Sequence, residues 1–420
     1  MKTIFDINVQ SEIGQLEGVI LHSPGPEVEN MTPQNSKRAL YSDILNLSVI
    51  LKEYAQFKGV LDKVSTTFEV RNLLKNILTN NKVKDNLVRR ICENEEVPEM
   101  IDALLLLNEE ELTCKLFEGV ELKKDNFSKF LSKERYTLQP LHNFFFTRDA
   151  SVTINNKVLI SRMANMVRER ESMIMESIFD YYPGFNTKTI SCNKKSNWQN
   201  PITFEGGDIL VVRNDIIIVG LSARSTSFGI DFLIEHFKNT RETKNIIVQE
   251  LPKTPESFIH LDMVFTMLDI DKCMIYEPVI LKHKKYLTAH ITIENGEVAS
   301  IVEEPNILEA LKKLKIDLQP MLCGGSKDHW IQEREQWHSG ANFFAFAPGK
   351  IIGYGRNVYT IDELNQHGFE VVKAVDIIND KVNVNDLNKC VIVIEGSELS
   401  RGGGGARCMT MPVRRQPVNW

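Results

Sequence analysis

The chain has 420 residues, 42% of them hydrophobic and 25% charged, and 50 basic against 56 acidic side chains leave a net charge of −6. These values predict a large globular core, divisible into two or three domains, and exclude collagenous and disordered chains. The acidic balance argues against a nucleic-acid partner, which needs a basic face.

The opening Met1-Lys2-Thr3-Ile4-Phe5-Asp6 lacks the apolar core of a signal peptide. No apolar run reaches the ~18 residues that span a bilayer. The expected setting is the cytoplasm, with no membrane partner. Seven cysteines, an odd number, are thinly spread with no CxxC pair. No disulfide framework and no zinc site are expected. Six buried structural thiols would leave one cysteine to explain.

The first strand in chain order is predicted at 16–20, Leu16-Glu17-Gly18-Val19-Ile20. From 61 to 118 there is no glycine, and Pro98 is the one proline. Apolar residues recur there at i, i+3, i+4 and i+7, which predicts helix after helix, over 70–78, 86–91 and 100–105. Leu73, Leu74, Ile77 and Leu78 form one such face. The segment is expected to be a helical subdomain.

The remainder alternates strands, polar turns and helices. A strand at 156–161 leads to a helix at 168–182 and a strand at 187–190. The pattern returns with a strand at 214–220, a helix at 230–237 and a strand at 245–248. It starts again with a strand at 349–353, a helix at 360–366 and a strand at 369–372. Residues 271–275 and 16–20 fit further copies. The copies lie about 60–75 residues apart and bury their faces against neighbours, which favours a ring of five strand-strand-helix-strand units.

Four motifs carry candidate chemistry. They are Asn143-Phe144-Phe145-Phe146-Thr147-Arg148-Asp149, Phe204-Glu205-Gly206-Gly207-Asp208, His260-Leu261-Asp262-Met263, and Arg401-Gly402-Gly403-Gly404-Gly405-Ala406-Arg407-Cys408-Met409-Thr410-Met411-Pro412. On a strand, His260 and Asp262 would share a face, because the strand period is two; a core histidine with a bonded carboxylate fits equally. Glu205 to Asp208 fits a turn with a helix cap. Four glycines fit a linker, but an apolar strand at 391–394 just before them favours a backbone that approaches a ligand or opens and closes. Cys408 is a nucleophile candidate, with a histidine and carboxylates elsewhere in the chain.

Taken together and in this order, the motifs resemble the arginine deiminases, guanidino-group-modifying enzymes. The loop Glu333-Arg334-Glu335-Gln336-Trp337-His338-Ser339-Gly340-Ala341-Asn342 also looks typical of that family. The resemblance implies an α/β five-bladed propeller of ββαβ repeats, the pentein fold, with an inserted helical bundle. It divides the chain into 1–64 (first part of the catalytic propeller), 65–138 (helical insertion) and 139–420 (the rest of the propeller).

The implied reaction is hydrolysis of free L-arginine to L-citrulline and ammonia, the first step of arginine dihydrolase catabolism. The implied roles place Cys408 as nucleophile and His260 as the acid and base. Glu205 orients His260, and Asp149 and Asp262 clamp the guanidinium. Carboxylates suit that task because they pair bidentately with a planar cation. Arg168 and Arg224 would take the substrate carboxylate, and Asn143 with the Phe146 carbonyl would face its α-amine. Asp208 is expected to be structural. No metal or cofactor is implied, and the family tends toward homo-oligomers, dimers or tetramers.

One departure stands out. Some members carry an arginine five residues before the cysteine, where this chain has Gly403. Arg407 stands where other members can have histidine, and no catalytic role is expected of it. The long glycine run is expected to act as a lid. The competing expectations are another guanidino hydrolase, acting on agmatine, dimethylarginine or peptidyl-arginine, an amidinotransferase, or a non-catalytic arginine-binding protein.

Overall fold

The computed structural model describes residues 4–32, 40, 43–192, 201–282 and 285–420. Met1–Thr3 of the opening segment lie outside them. Five sheets in this mixed α/β chain repeat one connection. An antiparallel pair is followed by a strand that returns parallel to its second member, as right-handed crossovers through a helix allow.

In one sheet Ser151–Ile154 pairs antiparallel with Lys157–Ile160, and Lys188–Ile190 joins parallel after the helix Glu169–Tyr181. The next runs Ile209–Arg213, Ile216–Leu221 and, after the helix Ser227–Thr240, Lys244–Glu250. Phe265–Asp269, Lys272–Ile275 and Gln319–Leu322 form another, with the helix Ile307–Lys313 in the crossover. Phe344–Ala347, Lys350–Tyr354 and Cys390–Ile394 form the fourth. The fifth joins the chain's two ends: Met411–Arg415 pairs with Leu16–Leu21, which Thr66–Glu69 joins in parallel after the helix Leu47–Val64. Central strands such as Ile216–Leu221 are continuous apolar runs because both faces are covered.

Three expectations need correction. The strand predicted at 369–372 is Glu370–Lys373, but it sits at the edge of its sheet; Cys390–Ile394 occupies the place beside Lys350–Tyr354. The glycine-free stretch 61–118 is not helical throughout: Thr66–Glu69 is a strand, as its β-branched and aromatic residues favour. The third concerns the thiols. All seven cysteines are free, but Cys114 and Cys192 are only partly buried, leaving four buried thiols besides Cys408.

Elsewhere the stretch is helical. Val70–Leu78 buries Val70, Leu73, Leu74, Ile77 and Leu78, and Asn81–Asn94 buries Val83, Leu87, Val88 and Ile91. These side chains share a core with Met173, Ile174 and Ile178 of Glu169–Tyr181. Glu109–Glu118 starts at a capping box of Asn108 and Glu111 and ends at Gly119, φ 84°. A hairpin absent from the sequence-based prediction, Thr288–Glu294 with Glu297–Glu304, extends the second sheet. Its Asn295-Gly296 turn has both φ values positive, the signature of a two-residue hairpin turn. No helix among the described residues is long and apolar enough to cross a membrane.

Candidate active site

The four motifs meet through backbone and buried polar links. The run Phe144-Phe145-Phe146 is buried and anchors the first motif. The Arg148 N–H donates to the Cys408 carbonyl at 3.1 Å, and the Gly206 N–H to the Asp149 carbonyl at 3.0 Å. Asp208 ties two more segments: it accepts from the Leu261 N–H at 2.9 Å and from the Ser222 and Ser225 hydroxyls, both at 2.6 Å. His260 is extended, but Leu261–Met263 is a short 3-10 turn. The expected strand across His260 and Asp262 is therefore absent, because Asp208 captures the Leu261 N–H and bends the chain.

His260 Nε2 lies 2.8 Å from Glu205 Oε2, and Nδ1 lies 3.7 Å from Asp149 Oδ1. Glu205 Oε1 accepts from the Ala164 N–H at 3.0 Å, with Arg224 Nη1 at 3.7 Å. Burial disfavours a charged imidazole, but the Asp149 field and the Glu205 hydrogen bond outweigh it and raise the His260 pKa to about 9. Burial would raise Glu205 as well, yet the His260 bond and the Arg224 charge hold it below its ordinary value. Asp149, Glu205 and His260 also stand within ligating distance of one shared cation, all within 4.8 Å of one another. At neutral pH the imidazolium itself supplies a positive charge between the two carboxylates.

The His260 ring rests on Gly207, where a Cβ would lie 2.7 Å from both Cγ and Nδ1. Gly207→Ala is expected to push the imidazole off Glu205 and cut kcat at least about tenfold, because a small misplacement within a site is costly. A crystal structure and kcat of the variant check this; an unmoved ring with full activity would contradict it.

Cys408 is 3% exposed. Its sulfur lies 3.2 Å from Asn342 Nδ2 and 3.6 Å from Asp262 Oδ2. Burial, then the Asp262 and Asp149 charges, push the thiol well above its ordinary pKa, which favours its neutral form. Asp149 and Asp262 each have one committed oxygen. Asp149 Oδ2 accepts from Arg168 Nη1 at 2.7 Å, and Asp262 Oδ2 from Arg407 Nη1 at 2.8 Å. The other oxygens, Asp149 Oδ1 and Asp262 Oδ1, are buried without a hydrogen-bond partner among the described residues. Buried carboxylate oxygens of this kind favour a hydrogen-bond donor.

A cavity of about 680 Å³ opens here, and Asn143, Phe146, Asp149, Arg168, Arg224, His260 and Cys408 are among its lining. Glu205 and Asp262 lie outside that lining, both fully buried. All nine expected residues thus gather at one place, but their commitments differ. Arg168 is paired with Asp149 and also with Glu171, at 3.0 and 2.7 Å. Its Nη2 reaches the Asn143 carbonyl at 3.4 Å. Arg224 is the less committed of the two arginines, with Glu205 at 3.7 Å. The Phe146 carbonyl accepts the Asp149 N–H at 3.3 Å.

The glycine run is tied down at several points. Glu53 accepts from the Ser397, Glu398 and Leu399 N–H groups at 2.9, 3.1 and 2.8 Å. The Tyr354 hydroxyl donates to the Gly404 carbonyl at 2.9 Å. Gly404 presses against Phe146, where a Cβ would stand 2.5 Å from Cε1. Gly403, φ 81°, faces open space. Sequence inspection gave no role to Glu12, Glu171 or Arg407, all buried here; Asn342 appeared only within the 333–342 loop.

The model of the arginine deiminase family matches residues 37–415. The arginine deiminase of Bacillus thuringiensis subsp. konkukian is 33% identical over 98% of this chain and 99% of its own. That of Listeria monocytogenes serotype 4b is 33% identical over 99% of both. Among solved structures, an amidinotransferase of Microseira wollei aligns with a TM-score of 0.56 at 16% identity, over 99% of this chain and 98% of that one. The N-terminal domain of a cyanobacterial arginine dihydrolase aligns with a TM-score of 0.53 at 12% identity, over 95% and 98%. These structural likenesses concern the fold. The sequence matches span nearly the whole chain, and the chain belongs to the arginine deiminase family.

Proposed function

We propose that this enzyme hydrolyses free L-arginine to L-citrulline and ammonia through a covalent adduct on Cys408. The observation that carries the proposal is the pair of unpartnered carboxylate oxygens, Asp149 Oδ1 and Asp262 Oδ1, beside a buried thiol. A guanidinium is the complementary group: planar, cationic, rich in N–H donors and without an acceptor. Charge-assisted hydrogen bonds of this kind contribute about 1.5–3 kcal/mol each.

The arriving cation reverses the field that keeps Cys408 neutral, and the thiol proton leaves to solvent. The thiolate adds to the guanidinium carbon, forming a C–S bond. His260 gives its proton to one NH2 group, the C–N bond breaks, ammonia departs and a thiouronium remains. The neutral imidazole then takes a proton from water as the oxygen adds to the same carbon. Collapse breaks the C–S bond, the remaining hydroxyl proton returns to sulfur, and citrulline is released. Glu205 holds the imidazole by Nε2 so that Nδ1 faces Asp149 and the cavity. Arg224, with Arg168, is proposed to receive the substrate carboxylate, and Asn143 with the Phe146 carbonyl its α-amine.

We propose the five repeated sheets to be blades of one propeller. The proposed parts are 1–64, 65–138 and 139–420. The helices between Val70 and Glu118 support the middle part, although the hydrogen bonds of Thr66–Glu69 attach that strand to Leu16–Leu21. Exposed Phe127, Phe130 and Leu131 support an interface there, in a dimer or tetramer. The proposed setting is the cytoplasm.

A paired assay with L-arginine and agmatine tests the reaction. Equimolar citrulline and ammonia from arginine, with agmatine inert for want of a carboxylate, is the expected result. Turnover of agmatine alone, or transfer of the amidino group to an added amine, would overturn it.

A further inference from the structure

We propose that Arg407 is a positioning residue for the guanidinium clamp: it holds Asp262 by one carboxylate oxygen so that the other faces the substrate. The inference rests on the reaction proposed above. Arg407 is 1% exposed and does not line the cavity. Its guanidinium makes four hydrogen bonds: Nε and Nη2 fork onto Glu12 at 2.9 and 3.0 Å, Nη2 also reaches the Ile209 carbonyl at 2.8 Å, and Nη1 reaches Asp262 Oδ2 at 2.8 Å. One cation therefore bridges two buried carboxylates, with four of its five N–H donors in use.

The same residue locates the nucleophile. The Arg407 N–H donates to Asn342 Oδ1 at 2.9 Å, while Asn342 Nδ2 reaches the Asp262 carbonyl at 3.0 Å and the Cys408 sulfur at 3.2 Å. Arg407 and Asn342 thus form a frame that sets Cys408 against Asp262, whose Oδ1 has no hydrogen-bond partner among the described residues. In effect the chain's own guanidinium occupies one edge of Asp262 and reserves the other for the substrate's. A lysine keeps the charge but has no rigid fork, so it cannot serve Glu12 and Asp262 at once.

Binding of L-arginine to Cys408→Ala enzyme, followed by titration calorimetry, tests this as a cycle with Arg407→Lys and Asp262→Asn. Arg407→Lys is expected to weaken binding about tenfold alone and less than about twofold once Asp262→Asn is present, since a residue that acts through another shows no separate effect without it. In enzyme that retains Cys408, Arg407→Lys should raise KM about tenfold with kcat within about threefold, the pattern of lost uniform binding. Binding unchanged by Arg407→Lys, or a penalty that multiplies with that of Asp262→Asn, would overturn the proposal. So would loss of the fold in both Arg407→Lys and Arg407→Gln, which would make Arg407 a residue of the fold alone. Failure of Cys408→Ala enzyme with Arg407 intact to bind arginine would instead overturn the reaction proposed above.

Discussion

Cys408→Ala enzyme is expected to lose L-arginine turnover by at least about 10⁴-fold, the scale on which removing a nucleophile acts, while still binding the substrate. The sulfur makes the bond on which both half-reactions depend, so no neighbouring group replaces it. Binding survives because the contacts proposed to hold arginine belong to other residues. Asp149 Oδ1 and Asp262 Oδ1 remain vacant and buried, and Arg224 stays at the cavity wall. The substitution removes the thiol's 3.6 Å hydrogen bond to Asp262 Oδ2, an oxygen that Arg407 Nη1 still holds at 2.8 Å. Steady-state kinetics with calorimetry check both halves. Residual activity within a hundredfold of wild type would remove Cys408 from the mechanism.

His260→Asn is expected to lower kcat by about 10²–10⁴-fold, the range for a positioned acid and base. The pH dependence has a definite sign. The raised pKa of about 9 leaves His260 protonated at neutral pH, ready to donate to the departing nitrogen. The proton is lost as pH rises through that value, so kcat/KM, which reports the free enzyme, should fall on the alkaline side near pH 9. Burial opposes the charge, and Asp149 and Glu205 sustain it. Glu205→Gln removes one of these carboxylates, and its alkaline limb should move toward neutrality. Profiles of kcat/KM against pH for wild type and Glu205→Gln check this. A limb that does not move in Glu205→Gln would contradict the assignment.

The site was legible in the sequence to the extent that its parts are contiguous. Glu205 and Gly207 lie three residues or fewer from Asp208, and Cys408 follows its glycine run directly, so each motif carries a local signal. The supports were not legible, because their contacts join distant positions. Arg407 meets Glu12 across 395 residues, and Asn342 meets Cys408 across 66. Nothing within either segment announces such a pair. The shape of the His260 motif was hidden for the same reason, since Asp208 bends it from 53 residues away. Most strands and helices were visible from apolar runs and periodicity. Glu297–Glu304 was not: seven of its eight residues are exposed, so it lacks the alternation that marks a half-buried strand. Its Asn295-Gly296 turn was the available signal. Cys390–Ile394 was visible as a strand, but its place beside Lys350–Tyr354 depends on which of two parallel candidates pairs first, and composition does not decide that.

The covalent adduct on Cys408 is the central claim, and acid-quenched turnover with mass spectrometry tests it directly. Enzyme stopped during steady-state turnover of L-arginine should carry the mass of arginine less ammonia on the Cys408 peptide, and on no other cysteine. An unmodified Cys408 peptide would contradict the account, as would one carrying only an amidino group after loss of ornithine.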